Sequence, residues 1–207
     1  MRRLRIGDVI TGSFGWNRAI RLGGIQLSSD FNLRPDLVTY PLPRISSSTA
    51  VPATVDLIVN GVRQLSEAVE PGPFAVQMLP VITGAGLVSI AIQDELGRQT
   101  FITLPFYASN ALLAPALISY SVDVGLIRKN FGSRDDHYSG WAATGSARRG
   151  MNDWLTLEAH GEASGGLGVL GGGITARVGT IGIATVALAS SAQRGEAGPA
   201  PRYGGML

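Results

Sequence analysis

Residues 55–61 read VDLIVNG, and this stretch decides the class of fold. Its apolar run ends at Val59 and is followed at once by Asn60-Gly61, the dipeptide that most strongly predicts a two-residue β-hairpin turn. Further on, Pro71-Gly72-Pro73 predicts a second turn, because this tripeptide continues neither a helix nor a strand ladder. Antiparallel β-structure is therefore expected on both sides of the hairpin.

Five short apolar segments around these turns predict a small β-sandwich between about residues 41 and 107. They are 53–59, 64–69, 74–79, 87–93 and 99–104. Proline lacks a ladder donor and restrains the residue before it, so the flanking prolines predict strand boundaries and linkers. As candidate hinges we select Pro35, Pro41, Pro105 and Pro115. The residues expected to hold the turns of the sandwich, with no chemistry required, are Asn60, Gly61, Pro71, Gly72, Pro73, Phe74 and Gly97.

A different pattern, strict alternation of apolar and polar residues, fills the sequence on both sides of the sandwich. Residues 118–126, 154–163 and 173–178 each place apolar side chains on one face of a strand and polar ones on the other. Such segments are typical of a transmembrane β-barrel, although a half-exposed soluble sheet alternates too. The barrel is favoured because several segments follow one another, and because Trp141 and Trp154 lie near segment ends. Candidates for the wall of a water-filled lumen are Asp123, Thr156, Glu158, His160, Glu162 and Arg177.

Three further segments outside the sandwich predict local structure. Residues 2–30 predict two strands, with a turn near residues 12–15 and a β-bulge at Gly23-Gly24, where the apolar alternation slips. The link at residues 149–153 is short enough for a tight turn. Residues 193–207, rich in Gly, Pro and Ala, are expected to be frayed.

Composition narrows the class of protein. Among 207 residues there are 28 glycines, 11 prolines and no cysteine, and charged residues make up 15%, against about 25% in a typical soluble domain. No apolar run reaches the roughly 18 residues of a spanning helix, which leaves an all-β core or a membrane barrel. The absence of cysteine excludes a disulfide framework and thiolate metal sites. A net charge of +2, with no basic cluster interleaved with aromatic residues, argues against nucleic-acid binding.

The order and spacing of several short motifs resemble those of the outer-membrane usher proteins of chaperone–usher fimbriae. The motifs are similar to the family's barrel strands before the plug domain, the linker, the plug core and the strands after it. They lie at residues 6–12, 21–30, 33–36, 55–61, 70–74, 94–101, 112–121 and 154–158. No single motif is specific, but together they extend the resemblance over about residues 6–192.

For the fold, the resemblance implies an all-β protein: a partial transmembrane antiparallel β-barrel of about seven strands with an inserted Ig-like β-sandwich plug. The implied domains are barrel strands at 1–37, the plug at 38–107, barrel strands at 108–192 and a tail at 193–207. About seven strands are fewer than the roughly eight of the smallest closed barrel, so the chain is expected to be a fragment. The family's signal peptide and periplasmic domains are not recognised in it.

For function, the resemblance implies export and assembly of pilus subunits through a plug-gated pore in the bacterial outer membrane. The implied partners are periplasmic chaperone–pilus subunit complexes and outer-membrane lipid, with no nucleic acid and no small-molecule substrate. No enzymatic activity, catalytic residue, cofactor or metal is expected. The linkers 31–41 and 105–117 would act as hinges that let the plug leave the lumen folded. Arginines of the polar face, such as Arg177, would pair with plug acids such as Asp56 or Glu67.

Three motifs suggest other chemistry and are given structural interpretations. Residues 166–171 (GLGVLG) match the dinucleotide fingerprint, but the residues that follow suit a strand rather than a helix, so a barrel loop is expected. Asp135-Asp136-His137 is interpreted as a polar loop. Glu158, His160 and Glu162 share one face of a strand, which fits a wet pore wall better than a cation site.

Two other classes of protein stay open on the residues alone. A soluble or surface β-sandwich, such as an adhesin-like binding protein, would use the flanking segments as further sandwich strands. A β-rich enzyme would need converging titratable groups, which the sequence does not show. The usher interpretation differs from both, because it places Val122, Val124, Leu155 and Leu157 against lipid.

Overall fold

The computed structural model describes residues 1–77, 83–129, 137–193 and 202–206. Within these ranges the chain is all-β, as predicted, and its one helical element is a 3₁₀ turn at Phe31–Leu33. None of the described segments forms a helix long and apolar enough to cross a bilayer.

Fourteen strands are defined in the described part of the chain. They are β1 (Arg2–Ile10), β2 (Arg21–Ser29), β3 (Arg44–Thr49), β4 (Ala53–Val59), β5 (Val62–Val69), β6 (Gly72–Gln77), β7 (Gly84–Asp94), β8 (Gln99–Ala108), β9 (Ile118–Arg128), β10 (Tyr138–Asn152), β11 (Leu155–Ser164), β12 (Leu167–Val178), β13 (Gly182–Gln193) and β14 (Arg202–Met206).

These strands form three sheets. The largest has eight strands in the order β1-β2-β9-β10-β11-β12-β13-β14, so that β1 and β14 stand at opposite edges. A four-stranded sheet has the order β5-β4-β7-β8, and β3 pairs with β6 in a two-stranded sheet. The chain divides into two compact units: residues 1–39, 112–176 and 184–207 make up the first, and residues 40–111 with 177–183 make up the second.

The eight-stranded sheet exposes apolar side chains on one face and buries polar ones on the other. In β9, Val122 and Val124 are 51% and 53% exposed, whereas Asp123 between them is 0% exposed. We call these the apolar face and the polar face. The apolar face includes Ile25, Leu27, Val122, Val124, Leu126, Leu157 and Ile174, and the polar face includes Gln26, Ser121, Asp123, Thr144, Ser146, Thr156, His160 and Thr175.

The second unit has an ordinary apolar core. Val55, Leu57 and Val59 alternate along β4, and their side chains are buried with those of Val88 and Ile90 from β7. Asn60 and Gly61 have φ angles of 47° and 80°, as a type I′ hairpin turn requires, so the predicted hairpin is confirmed. The Asn60 side chain also accepts a hydrogen bond from the Leu87 amide at 2.9 Å, which ties the turn to β7.

Four of the five predicted sandwich segments overlap strands that are described throughout, while the predicted end of the third, at residues 78 and 79, lies outside the described residues. The sequence did not predict β3. Its sequence, RISSST, has a single apolar residue, Ile45, which packs in the core.

Two prolines that were expected at turns or boundaries lie inside strands. Pro73 pairs with Ser48 in β6, so only Pro71 precedes the strand. Pro105 pairs with Leu87 in β8, which is an edge strand of its sheet. Edge strands tolerate proline because one side of the backbone has no ladder partner. The linker after the sandwich therefore begins beyond Ala108, and Pro105 does not belong to it.

The predicted bulge at Gly23-Gly24 is absent. The register of β2 runs without a shift against both β1 and β9. The apolar alternation slips because Leu22 packs on the polar face against Val9 and Ala142 in a small apolar cluster. The two glycines instead permit close packing, since the Tyr138 ring occupies the place of a side chain at Gly23.

Three connections differ from expectation. Strand β10 extends to Asn152, so the turn in the 149–153 region consists of Asp153-Trp154. Residues 167–171 of the glycine-rich motif lie in β12 instead of a loop. In the tail, residues 202–206 form β14 and pair with β13, so the tail is not frayed throughout.

The packing at Gly24 leads to a stability prediction. A Cβ atom added at Gly24 would collide with the backbone at Val124 and Gly125, whereas one added at Gly145 in β10 would meet nothing within 4 Å. Gly24→Ala should therefore lower the free energy of unfolding by about 1–3 kcal/mol, as overpacking usually does. Gly145→Ala is the matched control and should change it by less than about 0.5 kcal/mol. Denaturant unfolding followed by tryptophan fluorescence measures both, and equal effects would contradict the packing argument.

Candidate functional site

A buried carboxylate organises the polar face where three strands meet. Asp123 of β9 accepts hydrogen bonds from Gln26 Nε2 at 2.6 Å, from Ser121 Oγ at 3.0 Å and from Thr144 Oγ1 at 3.0 Å. Gln26 also donates to the Ile10 carbonyl at 2.8 Å. The donors come from β2, β9 and β10, so the network fixes the register of these strands from the polar side.

The loop between β1 and β2 is anchored far across the same face. The Trp16 indole N–H donates to Glu158 Oε2 at 2.7 Å, and its ring meets the His160 ring edge-on at 5.9 Å between centroids. Glu158 and His160 belong to β11, and the indole lies over Gly171 and Gly173 of β12, where a Cβ atom would meet the ring. Glycines at these two positions thus make room for the indole.

His160 completes this cluster. Its Nε2 atom lies 2.6 Å from Glu162 Oε1, and the whole residue is buried. With Glu158 engaged by Trp16 and Glu162 by His160, both carboxylates have protein partners. No group of three or more histidine, cysteine, aspartate or glutamate residues suited to a metal ion is found in the described ranges.

The segment that returns from the second unit is fastened to the eight-stranded sheet. The Leu113 amide donates to Thr156 Oγ1 at 2.8 Å, and the Ala116 amide donates to the Gly150 carbonyl at 3.2 Å. Leu112 and Leu113 are both buried. Pro115 forms a β-bridge with Gly150, so this hinge candidate lies in a fixed part of the linker.

The two linkers are also joined to each other. The Ala114 amide donates to the Thr39 carbonyl at 2.7 Å. Pro35 lies in an exposed turn, next to the ion pair between Arg34 and Asp36, whereas Pro41 is buried. The boundaries of the second unit fall just after Thr39 and just before Leu112.

At the start of the first linker, Asp30 binds Arg3. Arg3 Nη1 lies 2.7 Å from Asp30 Oδ2, and the Asn32 amide donates to Asp30 Oδ1 at 3.0 Å. The hydrogen bond from Arg3 lowers the pKa of Asp30 below its usual value, although burial opposes the shift. The ionised carboxylate therefore ties the end of β2 to the beginning of β1 at neutral pH.

The predicted polar residues occupy one face of the sheet. Thr156, Glu158, His160 and Glu162 alternate along β11, and Thr144 pairs with both Asp123 and Glu162. Arg177 follows the same parity in β12, and its Nη1 atom donates to the Tyr107 carbonyl at 3.4 Å. His137 is exposed, and Asp135 and Asp136 lie outside the described residues.

The sequence reasoning missed Trp16, Gln26 and Thr144. Trp16 and Glu158 are 142 positions apart, so no local pattern connects them. Gln26 lies in β2, where the apolar alternation slips at the glycine pair, and Thr144 lies among small residues whose alternation is weak. A register alignment of β9 with β10 would have placed Thr144 beside Asp123.

Comparison with known proteins identifies the family. Residues 2–197 match the family model described as outer membrane usher protein. The outer membrane usher protein FanD of Escherichia coli is 33% identical over 158 residues, which are 74% of this chain and 19% of FanD. The outer membrane usher protein YehB of E. coli K12 is 25% identical over 154 residues, which are 74% of this chain and 18% of YehB. This chain thus spans less than a fifth of the length of these relatives.

A solved structure shares the fold. The cryo-EM structure of the E. coli P pilus tip assembly intermediate PapC-PapD-PapK-PapG matches with a TM-score of 0.60 at 22% identity. The match covers 98% of this chain and 24% of the solved chain. At this identity the likeness concerns the fold alone. Because the family model spans nearly the whole sequence, this chain belongs to the outer membrane usher proteins and is located in the bacterial outer membrane.

Proposed function

We propose that this chain forms part of the wall and the gate of a pore that exports and assembles pilus subunits. In this proposal the eight-stranded sheet is a segment of a transmembrane antiparallel β-barrel. Residues 38–107 are an Ig-like plug inserted between β2 and β9, with barrel strands at 1–37 and 108–192 and a tail at 193–207. The role is one of transport and assembly and needs no catalytic residue.

The observation that carries the proposal is the inverted burial of the eight-stranded sheet. In water, a sheet that exposed Val122, Val124 and Leu126 while burying Asp123 would lose the hydrophobic contribution to folding. In a bilayer, the same arrangement satisfies lipid on one side and a polar lumen on the other. Asp123, Thr156, Glu158, His160, Glu162 and Arg177 are accordingly the residues assigned to the lumen.

The partners follow from the family and from the related assembly. The solved relative is an intermediate that contains PapC, PapD, PapK and PapG. For this protein we infer periplasmic chaperone–pilus subunit complexes as cargo and outer-membrane lipid as surroundings. Nucleic acids and small-molecule substrates have no part in the proposed function.

We propose that the hinges of the gate lie at the boundaries of the second unit. Pro35 and Pro41 flank Thr39 in the first linker, and residues 109–111 precede the fastened segment in the second. Pro115 acts as an anchor in this proposal, because it bridges to Gly150. The plug would move as a folded body about the first linker near Thr39 and about residues 109–111.

The expected pairing of Arg177 with Asp56 or Glu67 is not found, because Asp56 and Arg177 have other contacts. The Asp56 carboxylate accepts from Ser66 Oγ at 2.5 Å and lies 3.3 Å from Arg63 Nη1. The Ser66 hydrogen bond, together with Arg63, lowers the pKa of Asp56 and keeps it ionised at neutral pH. Arg177 reaches the Tyr107 carbonyl of β8, whereas Glu67 lies on β5 at the opposite edge of the four-stranded sheet, so neither acid pairs with Arg177 in this structure.

If β9 spans the bilayer, an arginine on its apolar face should lower the free energy of unfolding by an amount that depends on its depth in the membrane. Val124 lies in the middle of β9, and Ile118 begins the strand; both face the apolar side. Val124→Arg should lower the free energy of unfolding in lipid vesicles by about 2–4 kcal/mol, because the charge would lie near the bilayer midplane. Ile118→Arg, the matched control at the rim, should cost about 0–1 kcal/mol. Denaturant titration of the vesicle-bound protein measures both, and equal costs would argue against a membrane-spanning strand.

The gate role predicts conduction without the plug. Because the Ala114 amide reaches the Thr39 carbonyl at 2.7 Å, the ends of an excised segment 40–111 are adjacent, and a short Gly-Ser joint can close the gap. The protein expressed in the outer membrane with this deletion should show large, lasting conductance in planar bilayers and sensitise cells to bulky antibiotics.

A matched control for this deletion inserts the same Gly-Ser joint after Leu96, in the exposed turn between β7 and β8. The insertion variant should remain closed, since its plug is still present. Unchanged conductance in the deletion variant, with normal insertion in the membrane, would refute the gate.

A further inference from the structure

The apolar face of the eight-stranded sheet is not uniform, because a groove of about 650 Å³ crosses strands β10 to β13. Ala147, Ala159 and Gly172 stand opposite one another in register and form its floor. Its walls are larger apolar side chains that the sheet leaves exposed: Ile118, Leu157, Ile174, Val186 and Leu188. The groove is therefore a local depression of the size of a lipid acyl segment in a surface that otherwise projects side chains.

Arg149 provides the charge at one end of this groove. It pairs in register with Ile118 of β9 and Leu157 of β11, so its side chain shares the apolar face with them. The residue is exposed, and in the described part of the chain its guanidinium has neither a hydrogen bond nor an ion pair. An arginine on this face is unexpected, because the side chains in register with it on β9, β11 and β12 are Ile118, Leu157 and Ile174.

The position of Arg149 along the strand places it close to a membrane interface. Strand β9 begins at Ile118, and the turn between β10 and β11 is Asp153-Trp154. The distance from Arg149 to Asp153 is about 13 Å along the strand, and less along the membrane normal because barrel strands are tilted. Trp154 is half exposed at this turn, as interfacial aromatic residues are. From this depth an extended arginine side chain reaches the headgroups.

The lengths of the connections identify the leaflet. Apart from the insertion between β2 and β9, the connections at the end of the sheet that holds Asp153-Trp154 have two residues (153–154) and three residues (179–181). At the other end, ten residues separate β1 from β2, β9 ends at Arg128 and β10 begins only at Tyr138, and the one short turn is residues 165–166. In outer-membrane barrels the short turns are periplasmic and the longer loops are extracellular. Arg149 and the adjoining end of the groove therefore belong to the periplasmic leaflet.

We propose that Arg149 and this groove bind one anionic phospholipid of the periplasmic leaflet. The inference rests on the proposed function, since it needs the apolar face to lie in a bilayer. The planar guanidinium would hold the phosphate through two parallel hydrogen bonds, and an acyl chain would lie along the floor of alanine and glycine.

The charge around the groove favours a headgroup with net negative charge. The one carboxylate among the groove residues, Glu158, points to the polar face and accepts the Trp16 indole N–H. The site thus offers a cation for the phosphate and no acid for a headgroup amine. Phosphatidylglycerol has this chemistry and serves as the probe.

The test is a lipid titration of the delipidated protein in detergent, read by native mass spectrometry. Arg149→Gln should weaken phosphatidylglycerol binding about tenfold, the usual effect of losing a charge-assisted contact. Ala159→Leu, which fills the groove and leaves the charge in place, should also weaken binding. Arg149→Lys should retain more affinity than Arg149→Gln. Arg63→Gln, an exposed arginine of the second unit, is the matched control and should bind as the unchanged protein does.

Several outcomes would overturn the proposal. The site would be refuted if both Arg149→Gln and Ala159→Leu bound phosphatidylglycerol with wild-type affinity. It would also be refuted if Arg63→Gln lost as much affinity as they do. Dimerisation that Ala159→Leu abolishes, with lipid binding unchanged, would assign the groove to a second copy of the chain. Flotation with vesicles separates this test from the proposed function. A protein that inserts but lacks the lipid preference contradicts the site alone, whereas one that does not insert contradicts the membrane placement itself.

Discussion

A sheet that lies between lipid and water must satisfy its backbone entirely within itself while its two faces meet different solvents. The strand period of two residues meets this requirement directly, because consecutive side chains point to opposite sides. In β9 the exposed Val122 and Val124 flank the fully buried Asp123, so neighbouring side chains of one strand lie in opposite environments. The arrangement also fixes register, since a slip of one residue would move Asp123 to the exposed apolar face.

The polar face then has to accommodate the polar groups that it buries. Asp123 accepts hydrogen bonds from three neutral donors on three strands, and Glu158 accepts the indole N–H of a loop that crosses the sheet. These contacts join residues that are far apart in sequence, such as Trp16 and Glu158. The loop between β1 and β2 is thereby part of the polar face, together with the strands.

The class of fold was readable from the sequence because two signals are local. The Asn60-Gly61 turn needs positive φ angles at both positions, and the alternation of β9 and β11 needs only one strand at a time. The errors came from features that depend on neighbouring strands. Pro105 signals a boundary unless the strand is known to be an edge, and Gly23 signals a bulge unless the Tyr138 ring is known to cover it. The hydrogen bond between Trp16 and Glu158 could not be predicted from the sequence for the same reason, because tertiary packing brings these two residues together.

In the proposed gate, the two linkers would attach the second unit to the eight-stranded sheet without weakening that sheet. A long flexible connection would leave backbone groups at the end of the sheet where β9 begins without protein partners. Here the segment after the sandwich satisfies those groups, since Leu113 and Ala116 donate to Thr156 and Gly150, and Ala114 donates to Thr39. Any displacement of the second unit that preserved these bonds would have to occur between Thr39 and Leu112, where both boundaries of that unit lie. In the proposed gate, the bonds of residues 113–116 and of Thr39 therefore set where the hinges can lie. Pro41 lies on the side of the second unit, whereas Pro35 and Pro115 lie on the side of the eight-stranded sheet.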